Sequence, residues 1–270
     1  MTVSMRAGPR FILVRGLARE AAHWHDFDEG LRTRFPGARV ERVDLPGNGE
    51  RWRERSPLTT RESAAYLREQ VWAASEQPVV LIAISLGAMV CLEWLRSWPS
   101  DAILGLAAIN TSAGGLCPPW QRMRPRAMVE TLRSIGARDP VARERAILEL
   151  TTTGHGADRE LAEQHAEFHR LRPIRRANVL RQAVSAARFR VKVKPLAAPV
   201  LVLNSAADQM VDPSCSRALT VALGADLAVH PSGGHDLTLD DPKWCAEAIH
   251  RWLVEGRRID CAAGTGLAAE

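Results

Sequence analysis

The sequence predicts an α/β fold, a mostly parallel central sheet flanked by helices, and three observations carry that prediction. Short β-rich runs alternate with amphipathic stretches through the first two-thirds of the chain. One run, Val79–Ile84 (VVLIAI), is apolar throughout, as in a strand covered on both faces. The stretches between runs are long enough to be the crossovers that parallel strands require.

In order along the chain, strands are expected at Arg10–Val14 (RFILV), Arg39–Val43 (RVERV), Val79–Ile84, Ala102–Ile109, Pro199–Leu203 (PVLVL) and Leu227–His230. Arg61–Ser75 is expected as a helix because Ala64, Leu67, Val71 and Ala74 fall near helical spacing. Leu86–Trp98 is a second helix, stopped by Pro99, and Asp241–Val254 closes the fold. Residues 115–196 break the rhythm. They hold no convincing strand but several helical segments, among them Pro140–Leu150 and Arg159–Leu171. They form a predicted helical cap inserted between the fourth and fifth strands, over the carboxyl ends where open α/β sheets bind ligands. The core is then 1–114 with 197–255, and 256–270 is expected to be a loose tail.

The 270 residues suffice for one large domain. No apolar run of eighteen residues exists and the N-terminus shows no signal-like stretch, so a cytoplasmic protein without a membrane span is expected. Five widely spaced cysteines with no C-x-x-C pair suggest reduced thiols rather than zinc or a disulfide framework. The net charge is +5, and residues 118–195 alone hold 17 basic and 8 acidic residues. That excess is most simply a solvated helical surface, but it would also suit an anionic substrate or an acidic carrier protein. A single Tyr and no recognisable motif argue against nucleic acid.

The chemistry centres on Ser85. A buried strand runs into it and a helix leaves from it, within Ala83-Ile84-Ser85-Leu86-Gly87-Ala88. So sharp a strand–turn–helix bend strains the backbone and needs small residues two before and two after the serine, here Ala83 and Gly87. It would hold the hydroxyl at the sheet edge beside the free N–H of Leu86. A lone small-x-Ser-x-Gly also fits an ordinary helix cap. A serine needs a base. Of the eight histidines, His235 lies in Ser232-Gly233-Gly234-His235, a loop after the last strand that can reach the same edge. The acid that would orient its ring is Asp208, after the PVLVL strand, with Asp212 as the alternative, although Asp212-Pro213 reads as a helix cap.

These features together resemble the α/β-hydrolase superfamily, particularly its small capped esterases. The order Ser85, Asp208, His235 is that family's order, and Asp44-Leu45-Pro46-Gly47-Asn48-Gly49 is similar to its D-x-P-G-x-G turn. The resemblance runs from about Arg10 to Leu253 and is weakest in the insertion. It implies an ester or thioester hydrolase working through an acyl-enzyme, with Leu17 N–H as second oxyanion donor beside Leu86. Two residues depart from the pattern: Ala83 for a glycine, and Arg15 for the usual histidine before Gly16. Arg15 would either support the loop or meet an anionic group.

Trp120 and Met123, at the start of the insertion, are candidates for lining an acyl pocket. His165 and His169 share a helix face, but no third ligand is evident in the sequence, so neither a metal nor a cofactor is expected. A small-molecule acyl compound is the expected partner, and the insertion is a candidate homodimer surface. Acyl transfer, C–C bond hydrolysis and perhydrolysis remain open on the same three residues, as does a ligand-binding receptor that retains a hydrolase pocket.

Overall fold

The computed structural model describes residues 3–4, 8–191, 196–256 and 259–260. Its strands are β1 (Val3–Ser4), β2 (Arg10–Val14), β3 (Arg39–Val43), β4 (Val79–Ile84), β5 (Ile103–Ile109), β6 (Val200–Ser205), β7 (Asp226–His230) and β8 (Ile259–Asp260). Six of these form one all-parallel sheet in the order β3-β2-β4-β5-β6-β7. The chain winds outward from β2 to β3, returns past β2 to β4, and then winds the other way. The switch point therefore lies between the carboxyl ends of β2 and β4, the crevice where such sheets take ligands.

The apolar run of β4 divides by the strand's two-residue period. Val79, Leu81 and Ala83 join the core shared with α2 (Thr60–Ala74) and α3 (Leu86–Ser97), which contribute Leu67, Val71 and Trp94. Val80, Ile82 and Ile84 face the other layer, built by α1 (Phe27–Arg34) and α11 (Pro242–Val254) through Phe27, Leu31 and Ile249. Arg10 opens β2 fully buried. Its guanidinium donates to Glu41 at 2.8 and 2.9 Å and to the carbonyls of Val71 and Ser75.

Among the described residues, five helices lie between β5 and β6: α4 (Pro119–Arg122), α5 (Pro125–Gly136), α6 (Pro140–Thr151), α7 (Arg159–Leu171) and α8 (Arg176–Arg188). The two ends of this excursion meet where Gly114 N–H donates to Phe189 O at 2.9 Å. After β6 come α9 (Pro213–Leu223), β7, α10 (Leu237–Asp240) and α11. In the expected loose tail, Ile259–Asp260 instead pairs parallel to Val3–Ser4, while residues 257–258 and 261–270 lie outside the described residues. The described cysteines, Cys91, Cys117, Cys215 and Cys245, are free thiols, and Cys261 lies outside the described set. Among the described residues no helix is long and apolar enough to cross a membrane.

Candidate active site

Ser85 connects β4 to α3 with φ 54° and ψ −119°, a conformation that costs a non-glycine residue free energy and needs outside support. The support comes from β5 and the turn after it. Ser85 N–H donates to Ile109 O at 2.9 Å, and Thr111 Oγ1 donates to Ser85 O at 2.9 Å. A Cβ on Gly87 would stand 2.5 Å from Val14 O and 2.6 Å from Arg15 O, both backbone atoms, so the first turn of α3 meets β2 only through glycine. Gly16 is as close to the serine: a Cβ there would lie 3.1 Å from Ser85 Cβ. Ala83 is fully buried against the α2–α3 layer, which has room for its methyl group. Ser85 itself is half-buried, so its hydroxyl is in reach of a ligand.

His235 and Asp208 meet at the same edge. His235 Nδ1 lies 2.8 Å from Asp208 Oδ2, and both side chains are buried. The other carboxylate oxygen, Oδ1, accepts the N–H groups of Met210 at 2.7 Å and Val211 at 2.9 Å, which fixes the carboxylate plane. A carboxylate can only accept, so Nδ1 carries the proton and Nε2 is left as the basic nitrogen. Asp212 is engaged elsewhere: it caps α9 by accepting Ser214 N–H at 2.9 Å and pairs with Arg124 at 3.1 Å.

Three contacts that the sequence did not reveal hold the His235 loop. Asn110, at the end of β5 with φ 45°, donates from Nδ2 to Gly234 O at 3.0 Å, His235 O at 2.9 Å and Ser205 Oγ at 2.9 Å. Its Oδ1 accepts Ser205 N–H at 2.8 Å. Arg15 forms a buried, bidentate ion pair with Asp236, with Nη1–Oδ1 at 3.0 Å and Nη2 on Oδ2, and stacks over Trp24. Burial alone would raise the Asp236 carboxyl, but the guanidinium overrides it and holds it down at about 2. Arg15 thus supports the loop and is not free for a ligand. Finally, the insertion is latched to the loop: Asp236 N–H donates to Thr151 O at 2.7 Å, at the end of α6. Asp240 accepts N–H groups from Gly234 at 2.7 Å and Thr153 at 3.0 Å.

A cavity of about 250 Å³ opens beside these loops. It touches Leu17 on one side and Met210 on the other, and it runs up between α6 and α8, where Ile147, Leu150, Ile174 and Val179 give it an apolar wall. Trp120 and Met123 do not line it, contrary to the sequence-based expectation. Trp120 stands on the four-residue α4 with 63% of its surface exposed, because α4 lies against α9 instead. Leu86 is the first residue of α3, so its N–H has no intrahelical partner, and Leu17 follows the glycine that touches Ser85.

The sequence profile of the alpha/beta hydrolase family matches residues 11–248. The chain belongs to that family. No curated protein sequence matches it. Among solved structures, this hydrolase-family chain is similar to the esterase RhEst1 from Rhodococcus sp. ECU1013, with a TM-score of 0.72, 18% identity and coverage of 93% of this chain and 92% of the other. It is also similar to a thermophilic esterase from Thermogutta terrifontis, with a TM-score of 0.69, 22% identity and coverage of 92% and 90%. A third is the type II thioesterase BorB from the borrelidin biosynthetic cluster, with a TM-score of 0.64, 23% identity and 94% coverage of each chain. At these identities the likeness is one of fold.

The histidines of this α/β-hydrolase group differently from the helix-face reading. His165 meets not His169 but His25, with Nε2 atoms 2.9 Å apart and the two rings stacked, and it meets the His23 ring edge-on. His23, Glu144 and His165 bring one ligand atom each within 4.8 Å of one another, a spacing that would suit a cation. Arg19 already supplies one: its Nη1 lies 2.7 Å from Glu144 Oε2 and 3.1 Å from His23 Nε2. Burial and then the Arg19 charge hold the imidazoles of both His23 and His165 well below their ordinary range, His165 at about 3.

Proposed function

We propose that the protein is a serine hydrolase that cleaves a carboxylic ester or thioester through an acyl-enzyme, with Ser85, His235 and Asp208 as a catalytic triad. The observation that carries the reading is the 2.8 Å His235–Asp208 hydrogen bond at the sheet edge where Ser85 is held in its strained turn. Ser85 Oγ attacks the carbonyl carbon while His235 Nε2 takes its proton, and Asp208 holds Nδ1–H and stabilises the imidazolium. The N–H groups of Leu86 and Leu17 receive the oxyanion, each such donor lowering the barrier by about 3 kcal/mol. His235 returns the proton to the leaving oxygen or sulfur. Water, deprotonated by the same imidazole, then attacks the acyl carbon and frees the acid and Ser85.

Neighbours of the same fold described as esterases and a thioesterase are in keeping with this acyl class. The test is labelling by a fluorophosphonate probe, together with turnover of p-nitrophenyl esters and acyl thioesters. Labelling and turnover lost in Ser85→Ala are expected. A folded protein that takes no label would overturn the reading in favour of a ligand-binding receptor, and partitioning of product to added alcohols or amines would turn it towards acyl transfer.

A further inference from the structure

The cavity beside the oxyanion loop carries a charge imbalance that an uncharged acyl chain would leave unanswered. Three guanidiniums line it, from Arg19, Arg143 and Arg176, against the carboxylates of Glu130 and Glu144. Glu130 is taken by Arg133 at 2.8 Å, outside the lining. Glu144 is shared by Arg19 at 2.7 Å and Arg143 Nε at 3.2 Å. Arg143 has no acceptor for its buried Nη2, a costly omission for a charged group. Arg176, an exposed residue of the lining, forms no ion pair with an acidic side chain among the described residues. It is also the first residue of α8, whose N-terminus has no side-chain cap and adds its partial positive charge on the same side. The wall feels this field: His169, also on the lining, has its imidazole held below the ordinary range, first by burial and then by Arg143.

From this geometry we propose that the cavity takes an acyl group ending in a carboxylate, so that the substrate is a half-ester or half-thioester of a dicarboxylic acid. This deepens, and rests on, the serine hydrolase reading. The reacting carbonyl lies by Leu17 and Ser85, the methylene chain runs along Ile147, Leu150 and Val179, and the terminal carboxylate sits between Arg143 and Arg176. Guanidinium forks suit a planar carboxylate bidentately. The volume, just below the range of about 300–1,000 Å³ usual for small-molecule sites, suits a short chain.

The test compares mono-4-nitrophenyl adipate with 4-nitrophenyl methyl adipate, which share leaving group and chain and differ by the terminal charge. A kcat/KM at least tenfold higher for the anionic ester is expected, with the ratio falling towards one in Arg176→Gln and in Arg143→Gln. Equal rates, or a preference for the neutral ester, overturn the proposal. Because turnover also depends on the triad, binding is measured in Ser85→Ala. Monomethyl adipate should raise its Tm, an effect absent in Ser85→Ala/Arg176→Gln. Cleavage of the neutral ester with no Tm shift leaves the hydrolase standing and overturns the anion site, whereas a Tm shift without cleavage by the wild type supports the anion site and fails the hydrolase. A shift from inorganic phosphate but none from monomethyl adipate overturns the carboxylate assignment.

Discussion

Arg15 and Asp236, 221 positions apart in the sequence, form a buried ion pair that ties the loop after β2 to the residue next to His235. One member adjoins the glycine against Ser85 and the other adjoins the candidate base, so the pair fixes the spacing of the two halves of the site. Replacing Arg15 with Met strands a buried carboxylate and is expected to cost about 3–5 kcal/mol. Asp236→Leu added to Arg15→Met should recover much of that loss, which urea denaturation of the single and double variants will measure.

The same pair predicts a pH dependence. The Asp236 carboxyl stands at about 2 in the folded state against an ordinary value of 3.8, so its folded-state pKa is depressed. Its contribution, on the order of 2 kcal/mol, is present in full above about pH 4 and is lost as pH falls towards about 2. Thermal melts from pH 5 to pH 2 should show wild type losing stability faster than Arg15→Met across that window. Parallel curves would remove the pair as the cause.

Asn110 is expected to act on the base through the backbone. Asn110→Asp exchanges the donors to Gly234 O and His235 O for carboxylate oxygens that repel them. Turnover should fall by about one to two orders of magnitude, since a misplacement of about 1 Å has that cost. Fluorophosphonate labelling rates, measured on protein whose circular dichroism matches wild type, will separate this from unfolding.

Gly87 and Ala83 flank the elbow with opposite tolerances. Gly87→Ala forces a methyl group against Val14 O and Arg15 O and should cost about 1–3 kcal/mol, together with activity, because those atoms begin the loop that carries the candidate oxyanion donor Leu17. Ala83→Gly loses one buried methyl group in β4 and should cost about 1 kcal/mol while leaving a functional elbow. Melting temperatures and ester turnover of the two variants give the comparison.

If Ser85, His235 and Asp208 form the proposed triad, removing His235 should be nearly as damaging as removing Ser85, since members of a triad act as a unit. His235→Ala is expected to lower kcat by at least about 10⁴-fold, with KM little changed. Asp208→Asn leaves the carbonyl-side hydrogen bonds in place but lets the ring take the wrong tautomer, and it should cost a similar factor. Steady-state kinetics on a p-nitrophenyl ester will rank the three.

What the sequence made legible is what is local. VVLIAI followed by Ser85 encodes a strand, a turn and a helix within a dozen positions, and Gly87 carries its own steric signature. Asp208 and His235 were readable as polar residues just past strand ends, where topology delivers them to one edge. The partner of Arg15 was not readable, because nothing near position 15 marks position 236. Nor was the cavity wall. The basic excess of 118–195 was visible as a count, but which arginines reach the cavity depends on how α6 and α8 dock, a matter of packing over long separations. Trp120 was misjudged for the same reason: an aromatic at the start of an insertion has no fixed facing until the helices around it are placed.

The latch between α6 and the His235 loop constrains how the insertion can move. α6 walls the cavity through Ile147 and Leu150, and its last carbonyl holds Asp236 N–H, while Asp240 grips both Thr153 and Gly234. Lifting this helix to admit a ligand would drag the imidazole's own loop with it and displace the candidate base. The shape of the chamber and the position of the candidate base are therefore geared together through α6.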